Sequence, residues 1–557
     1  MTFDVDMVVR NAAVVTMDGE RPRARSLAVH HGRVLALGDE DRADGLRGRV
    51  EIDAQGAALV PGFGDAHNHM AWFGQGLAAI DLAGLTDLAS LYERVALRAV
   101  TLPADALVVG TGYDDTAIGG HPQRAALDRA AGGRPVWLQH RSGHVCTVNS
   151  PLLQRIGVLD GTAVVPAGGV VVTDDAGEPT GVLEEQAQSL IVDLVVPYPA
   201  AELATAIGRA SAVYATEGLT HVTECGIGGG WIGRSPVELA AYQRARDDGS
   251  LTVRVQLMPS ADALHGLRGH PGDDERFGLD LGVRTGFGDD RLRIGPMKIF
   301  LDGSLVARTA AMVEPFCDRH SHGYFQDDPD ALRRRLLDAH AAGWRVAAHA
   351  IGDRAVDLAL DAFADAQARH PRPDARPRIE HAALTTPAQI ERMAQLGVTP
   401  VPQLRFLYEI GDTMTAAVGD ERAPGLYRHA AFLRAGLRVP GSSDRPVATG
   451  APLLGMQSMV QRQTSSGAVI GPDERVDALT ALCAYTLDAA WVAGEEHERG
   501  SLTPGKLADF VLLGDDITDE KAVPPDRIGS TEVIATFVGG TCTHGGAALG
   551  LAEPKGA

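Results

Sequence analysis

The 557-residue sequence is poor in cysteine, in aromatic residues and in positive charge, and the shortages of cysteine and positive charge each exclude something. Its five cysteines, Cys146, Cys225, Cys317, Cys483 and Cys542, are scattered, odd in number and form no Cys-x-x-Cys. That argues against a disulfide framework and a thiolate zinc site, so a bound metal must use His, Asp, Glu or Lys. Lys and Arg number 51 against 72 Asp and Glu, and the resulting charge of −21 repels a phosphate backbone, so no nucleic-acid partner is expected. No apolar run approaches the roughly 18 residues of a membrane span. Met1 to Val15 carries Asp4 and Asp6 where a secretory leader has a basic flank and an apolar block. The expectation is a cytoplasmic protein with no membrane partner.

What is present is an ordinary globular composition, 45% hydrophobic and 22% charged. The first 60 residues alternate short β-prone runs with turns ("DMVVRNAAVVTMDG", "SLAVHHGRVLALGD", "VEIDAQGAALVPGF"), and residues 491–557 return to that texture in "LADFVLLGDD" and "EVIATFVGGTCTHGG". Both chain ends are expected to complete one small β-sandwich. Between them, over 61–490, eight strand-like runs recur: "AALVPGFGDAH", "GLTHVTEC", "LTVRVQLMP", "LRIGPMKIFLDG", "WRVAAHAIG", "PRIEHAAL", "GVTPVPQ" and "LRVPGSSD". Helical patterns separate most of them, such as Asp353 to Arg369 with Val356, Leu360, Phe363 and Ala364 on one face. Eight βα repeats predict an α/β fold, a TIM-like (β/α)8 barrel whose site lies at the carboxyl ends of the strands. The first two strands are too far apart for one helix, which predicts an insertion at about 71–204 over the mouth, where a substrate lid belongs.

"LVPGFGDAHNHM" places His67 and His69 one residue apart at the end of the first strand. With 19 histidines in the chain, chance alone produces roughly 0.6 such spacings, and "DRHSHG" supplies a second pair, His320 and His322. Address separates them. His320 and His322 fall in a polar, glycine-containing segment and read as loop residues, whereas other strand ends also carry ligand-type side chains: Lys298, His349, His381 and Asp444. Imidazoles and a carboxylate suit a borderline divalent ion such as zinc, one or two per chain. A lone inward lysine opposes a metal unless it is neutralised or carboxylated, and carboxylation makes it a bridge between two ions. Singly, His349 is equally a core histidine and Asp444 more readily a turn or helix cap than a ligand; jointly, such residues at so many strand ends are not what a structural core predicts.

The chain resembles the amidohydrolase superfamily, specifically the amidohydrolase-3 branch that includes N-substituted formamide deformylases. The resemblance spans essentially the whole chain and is carried by "PGFGDAHNH", "MKIFLDGSLVARTAAM", "HAIGDRAVD", "RIEHA", "SSDRPV" and "GSLTPGKLADFVLL", with "RPVWLQHRSGHVCTVNS" and "GEPTGVLEE" inside the insertion. It implies a metal-dependent hydrolase with His67 and His69 on the more buried ion, Lys298 bridging to a second ion held by His349 and His381, and Asp444 touching metal and water as general base. Glu224 ends the second strand where that branch often shows an acidic residue; Asp65 is a guess for support of a histidine.

The expected reaction is hydrolysis of a non-peptide C–N bond in a small molecule, an N-acyl or N-formyl amide, with cyclic amide opening or deamination as the alternative reading. A barrel without metal, serving as a binding or regulatory scaffold, predicts missing ligands, and none of the expected positions is missing. His144 in "SGHVC" is the candidate for contacting the substrate carbonyl, with a solvated loop histidine as the alternative, and Trp72 either lines an apolar pocket or packs into the core. A homodimer is the default expectation for assembly.

Overall fold

The computed structural model describes residues 4–39, 46–140, 145–166, 169–230, 232–270 and 276–551. The chain is mixed α/β and divides into two compact units, one built from 1–71 and 200–557, the other from 72–199.

In the first unit, the alternating runs at the two chain ends form two sheets. One is four-stranded, in the order Arg33–Gly38, Ser26–His30, Asp4–Arg10, Arg47–Asp53. The other joins both ends of the chain, in the order Thr541–His544, Val533–Val538, Phe510–Leu513, Ala58–Pro61, Ala13–Val15, Arg23–Ala24. Val9, Leu27, Leu37, Leu59, Phe510 and Phe537 share one buried apolar cluster, so inward residues of both sheets exclude the same water.

The Ala58–Pro61 strand passes directly into Phe63–Asn68 through Gly62. A Cβ at Gly62 would lie 2.3 Å from the Thr220 side chain, so the "PGFG" turn needs glycine to make room for that threonine. Phe63–Asn68 opens a parallel sheet in the order Leu292–Ile294, Arg254–Pro259, Leu219–Ile227, Phe63–Asn68. A second parallel sheet runs Met297–Phe300, Val346–Ala350, Arg378–His381, Thr399–Val401. These strands are almost wholly buried, as parallel strands covered on both faces must be. Parallel bridges Ser260 to Lys298 and Asn68 to Arg445 link the sheets and the 439–445 segment.

Two predicted strands differ. "LRIGPMKIF" breaks at Gly295-Pro296 into two strands, because proline has no N–H for the ladder. "LRVPGSSD" forms no continuous strand, yet it runs beside the first one through bonds from Ala66 N to Gly441 O, Asp444 N to His67 O and His69 N to Arg445 O. The predicted helix Asp353–Arg369 is present and buries Val356, Leu360 and Phe363.

Residues 72–199, within the insertion expected at about 71–204, form an α/β unit with its own core. Its six strands lie in the order Gly169–Thr173, Pro179–Glu185, Val145–Val148, Val136–His140, Val108–Tyr113, Ile80–Asp81, the last three parallel. Leu91, Val95, Val108, Leu127 and Leu138 pack helices Leu88–Ala99 and Arg124–Ala130 onto the parallel strands. Among the described residues, no single helix is long and apolar enough to cross a membrane.

Candidate metal centre

The first unit gathers the strand-end side chains at one buried place. Asp65 fixes the frame: its carboxylate accepts from His67 N (3.1 Å), Asn68 Nδ2 (2.7 Å), Ser443 N (3.0 Å) and Ser443 Oγ (2.5 Å). It therefore supports the site through backbone and serine, and no histidine ring bonds to it among the described contacts. This ties the His67 strand to the segment bearing Asp444. Glu224 does a related task on the other side, accepting from Met70 N (2.6 Å) and Ala71 N (3.2 Å), with its other oxygen 3.7 Å from His69 Nδ1.

His67, His69, His349, His381, Lys298 and Asp444 are all buried. Imidazole centroids step from His69 to His67 (5.5 Å), to His381 (4.9 Å), to His349 (4.5 Å). Asp444 Oδ1 lies 2.9 Å from His69 Nε2 and 3.4 Å from His67 Nε2. Ligand atoms of His67, His381 and Asp444 all fall within 4.8 Å of one another. A tetrahedral zinc site with bonds of about 2.0–2.1 Å has donor–donor edges of about 3.4 Å, so the set is compact enough to close on one ion.

The hydrogen bonds also choose which nitrogens remain open. Carboxylates and carbonyls only accept, so His67 donates from Nδ1 to Glu380 (2.6 Å) and His381 from Nδ1 to Gln403 Oε1 (2.6 Å), which turns both Nε2 atoms toward the centre. His349 is turned the other way: Nε2 donates to Gly303 O (3.0 Å), and Nδ1 has no hydrogen-bond partner. Lys298 Nζ is buried with no hydrogen-bond partner, 4.8 Å above the Phe300 ring. Orphaned buried nitrogens of this kind are costly unless something unseen satisfies them, and a divalent ion with its attendant ligands does so.

The electrostatics agree at His349 and His381; at His67 burial works downward, but the nearby Cys225 and Asp444 outweigh it and hold that imidazole well above its ordinary value. Burial, then the Lys298 charge, pushes His349 down to about 3, and burial with His349 beside it holds His381 well below the imidazole range. Both are neutral ligands at neutral pH. Burial works against the Asp444 carboxylate, but His67 and His69 outweigh it and hold Asp444 well below its ordinary value. Burial lowers Lys298, against the pull of Glu380 and Asp444. His381 (φ 72°) and Asp444 (φ 57°) both occupy left-handed backbone, strain of the kind that persists where side-chain aim is constrained.

Three side chains that sequence reasoning missed hold the imidazoles: Glu380, Gln403 and Asp302. Glu380 is itself clamped by Arg378, through Nε (2.7 Å) and Nη2 (2.9 Å). Asp302, 3.5 Å from His349 Nε2, accepts from Ala311, Ile351 and Gly352 N–H groups. Charged residues inside the apolar runs "RIEH" and "FLDG" were the available signal; Gln403 in "VPQL" offered none. Buried Cys225 also approaches His67 and Glu380.

The remaining expectations lie elsewhere. His320 and His322 are exposed, and His322 Nδ1 bonds Val313 O (3.0 Å). Trp72 is half-buried in the helix Met70–Gly76 at the start of the second unit. His144 lies outside the described residues.

The sequence model of the Amidohydrolase family matches residues 50–544. The chain is 31% identical over 549 residues to Protein LONG AFTER FAR-RED 3 of Arabidopsis thaliana, covering 96% of this chain and 91% of that one. It is 28% identical over 566 residues to N-substituted formamide deformylase of Arthrobacter pascens, covering 98% and 99%. Among solved structures, an uncharacterized metal-dependent hydrolase from Pyrococcus horikoshii superposes with a TM-score of 0.76 at 26% identity, covering 92% of this chain and 98% of that one.

Proposed function

The chain belongs to the amidohydrolase family and is a metal-dependent hydrolase of carbon–nitrogen bonds, and on that premise we propose that it cleaves a non-peptide amide of a small molecule, an N-acyl or N-formyl amide. The relative from Arthrobacter pascens, a deformylase of N-substituted formamides by name, supports the N-formyl choice. In this reading the two parallel sheets and the 439–445 segment are one eight-stranded (β/α)8 barrel, and the sheets from both chain ends are a β-sandwich beside it.

His67, His69, His381, His349 and Asp444 would hold one or two zinc-like ions, with Lys298 joining them as a carbamate. Its lowered pKa favours the neutral amine, which adds carbon dioxide with loss of one proton. Such ions polarise an amide carbonyl and make water a competent nucleophile at neutral pH. The chain's own contribution is orientation and proton handling. Glu380 and Gln403 fix the His67 and His381 tautomers so that Nε2 faces inward. Asp444, anionic and held over the histidine pair by its left-handed backbone, accepts the proton of the attacking water and returns it to the departing nitrogen.

The observation that carries this reading is the single Asp444 oxygen within reach of both His67 and His69. A panel of formamides, N-acyl amino acids, cyclic amides and amino-heterocycles, assayed for amine, acid and ammonia, tests it. Release of free amine with formate or another carboxylate is expected; ammonia or a ring-opened acid as the sole product replaces the amide reading with deamination or cyclic amide opening.

A further inference from the structure

We propose that the 72–199 unit carries its own divalent-metal site, formed by Asp114, Asp115 and His140, with His121 beside Asp115, and separate in its ligands from the barrel centre. The starting point is the topology of that unit. Strands Ile80–Asp81, Val108–Tyr113 and Val136–His140 are parallel, with helices between them, so their carboxyl ends lie along one edge of the sheet. His140 is the last residue of its strand, and Asp114 and Asp115 directly follow Tyr113, the last residue of the neighbouring one. The parallel pairing thus delivers two carboxylates and an imidazole to one edge.

The distances fit an ion. Asp114, Asp115 and His140 each offer a ligand atom within 4.8 Å of the others. His140 Nε2 is 3.0 Å from Asp115 Oδ1, near the donor–donor edge of about 3.4 Å expected around zinc. His121 Nε2 reaches the other oxygen of Asp115 at 3.9 Å. His121 gets there because the chain reverses after the short helix Asp115–Ile118 through Gly119 (φ 85°) and Gly120 (φ 130°), backbone that other residues rarely adopt. The group is half-buried, so an ion can enter from solvent.

The surrounding hydrogen bonds can set the right tautomer. Tyr113 Oη lies 3.1 Å from His121 Nδ1 and 2.9 Å from Thr147 Oγ1. When His121 Nδ1 donates to Tyr113 and Tyr113 donates to Thr147, Nε2 carries a free lone pair directed at Asp115. Asp114 is braced independently, capping the helix by accepting from Thr116 N (3.1 Å) and Ala117 N (3.3 Å). An imidazole with two carboxylates, and a second imidazole next to one of them, suits zinc or cobalt more than calcium or magnesium, which prefer oxygen alone.

The test counts ions and needs no substrate. Full-length protein, stripped with a chelator, is dialysed against zinc alone and its bound metal measured. Wild type is expected to hold one ion per chain more than Asp115→Asn or His140→Ala, each of which weakens that class of site at least 100-fold. A His67→Ala/His381→Ala variant is expected to keep the ion of the 72–199 unit while losing metal from the barrel, so the two sites fail independently. Asp114→Asn retains the helix cap and tests the carboxylate without risking the fold. Circular dichroism matching wild type shows that a variant's loss of metal is local. Folded Asp115→Asn and His140→Ala proteins that bind as many ions as wild type overturn the proposal and leave an ion-pair network in its place.

Discussion

His67 Nδ1 lies 2.6 Å from a Glu380 oxygen, and the same carboxylate is forked by the Arg378 guanidinium at 2.7 and 2.9 Å. A third Arg378 bond, from Nη2 to Ala66 O (2.7 Å), returns the relay to the His67 strand. The histidine is therefore aimed from behind by a buried ion pair, and its inward nitrogen is set by a residue 313 positions away in sequence. Carboxylate-backed histidines are stronger and better oriented metal ligands.

Replacing Glu380 with Gln is expected to weaken metal binding 10–100-fold, roughly the scale seen when such supporting partners are removed. It also strips Arg378 of its buried counter-charge, costing about 3–5 kcal/mol of stability. Equilibrium dialysis against zinc and thermal unfolding measure the two effects separately. Unchanged metal affinity in a destabilised protein would reduce Glu380 to a structural partner of Arg378.

Asp444→Asn is expected to lower kcat by roughly 10²–10⁴ while one ion per chain stays bound, because the amide keeps the shape and loses the proton acceptor. Metal analysis and steady-state kinetics on the same preparation check it. Full turnover with metal retained would remove Asp444 as the base.

How far the site could be read from the sequence follows from these residues. His67, His69, Lys298, His349, His381 and Asp444 were legible because strand ends converge in an α/β fold, and local pattern marks a strand end. Glu380 was visible as a charge in an apolar run, but period-2 alternation sends it to the opposite side from His381, and nothing local says that His67 waits there. Gln403 carries no signal, since its role is a contact between distant segments. The 72–199 unit was read as one long insertion because its strands, such as Val145–Val148, are short and its parallel pairings are long-range. The segment before Asp444 looked like a strand and is held to its neighbour by scattered bonds instead, interrupted at Pro440.

Changing His320 and His322 together to Ala is expected to leave metal content and turnover within twofold of wild type. Both are exposed, and the His322 ring already bonds a backbone carbonyl. Loss of metal from that variant, by elemental analysis, would mean that spacing had outweighed address.

The last prediction concerns stability against pH. Glu238 is buried, and burial, then the nearby Glu224 charge, pushes its carboxyl from 4.5 up to about 7. Its oxygen accepts from Gly228 N (3.2 Å) and Arg234 N (2.9 Å), bonds that a glutamine carbonyl can keep. Folded protein holds this proton more tightly than unfolded chain, so the contribution is complete below about 4.5 and is lost as pH rises through about 7. Glu238→Gln removes the dependence. The mutant is therefore expected to gain on wild type by up to about 3 kcal/mol between pH 4.5 and 8, converting the shift at about 1.4 kcal/mol per pH unit. Paired urea titrations across that range measure the gap. A difference that stays constant with pH would show that Glu238 is ionised in the folded protein throughout, with its two backbone donors sufficient to hold the charge.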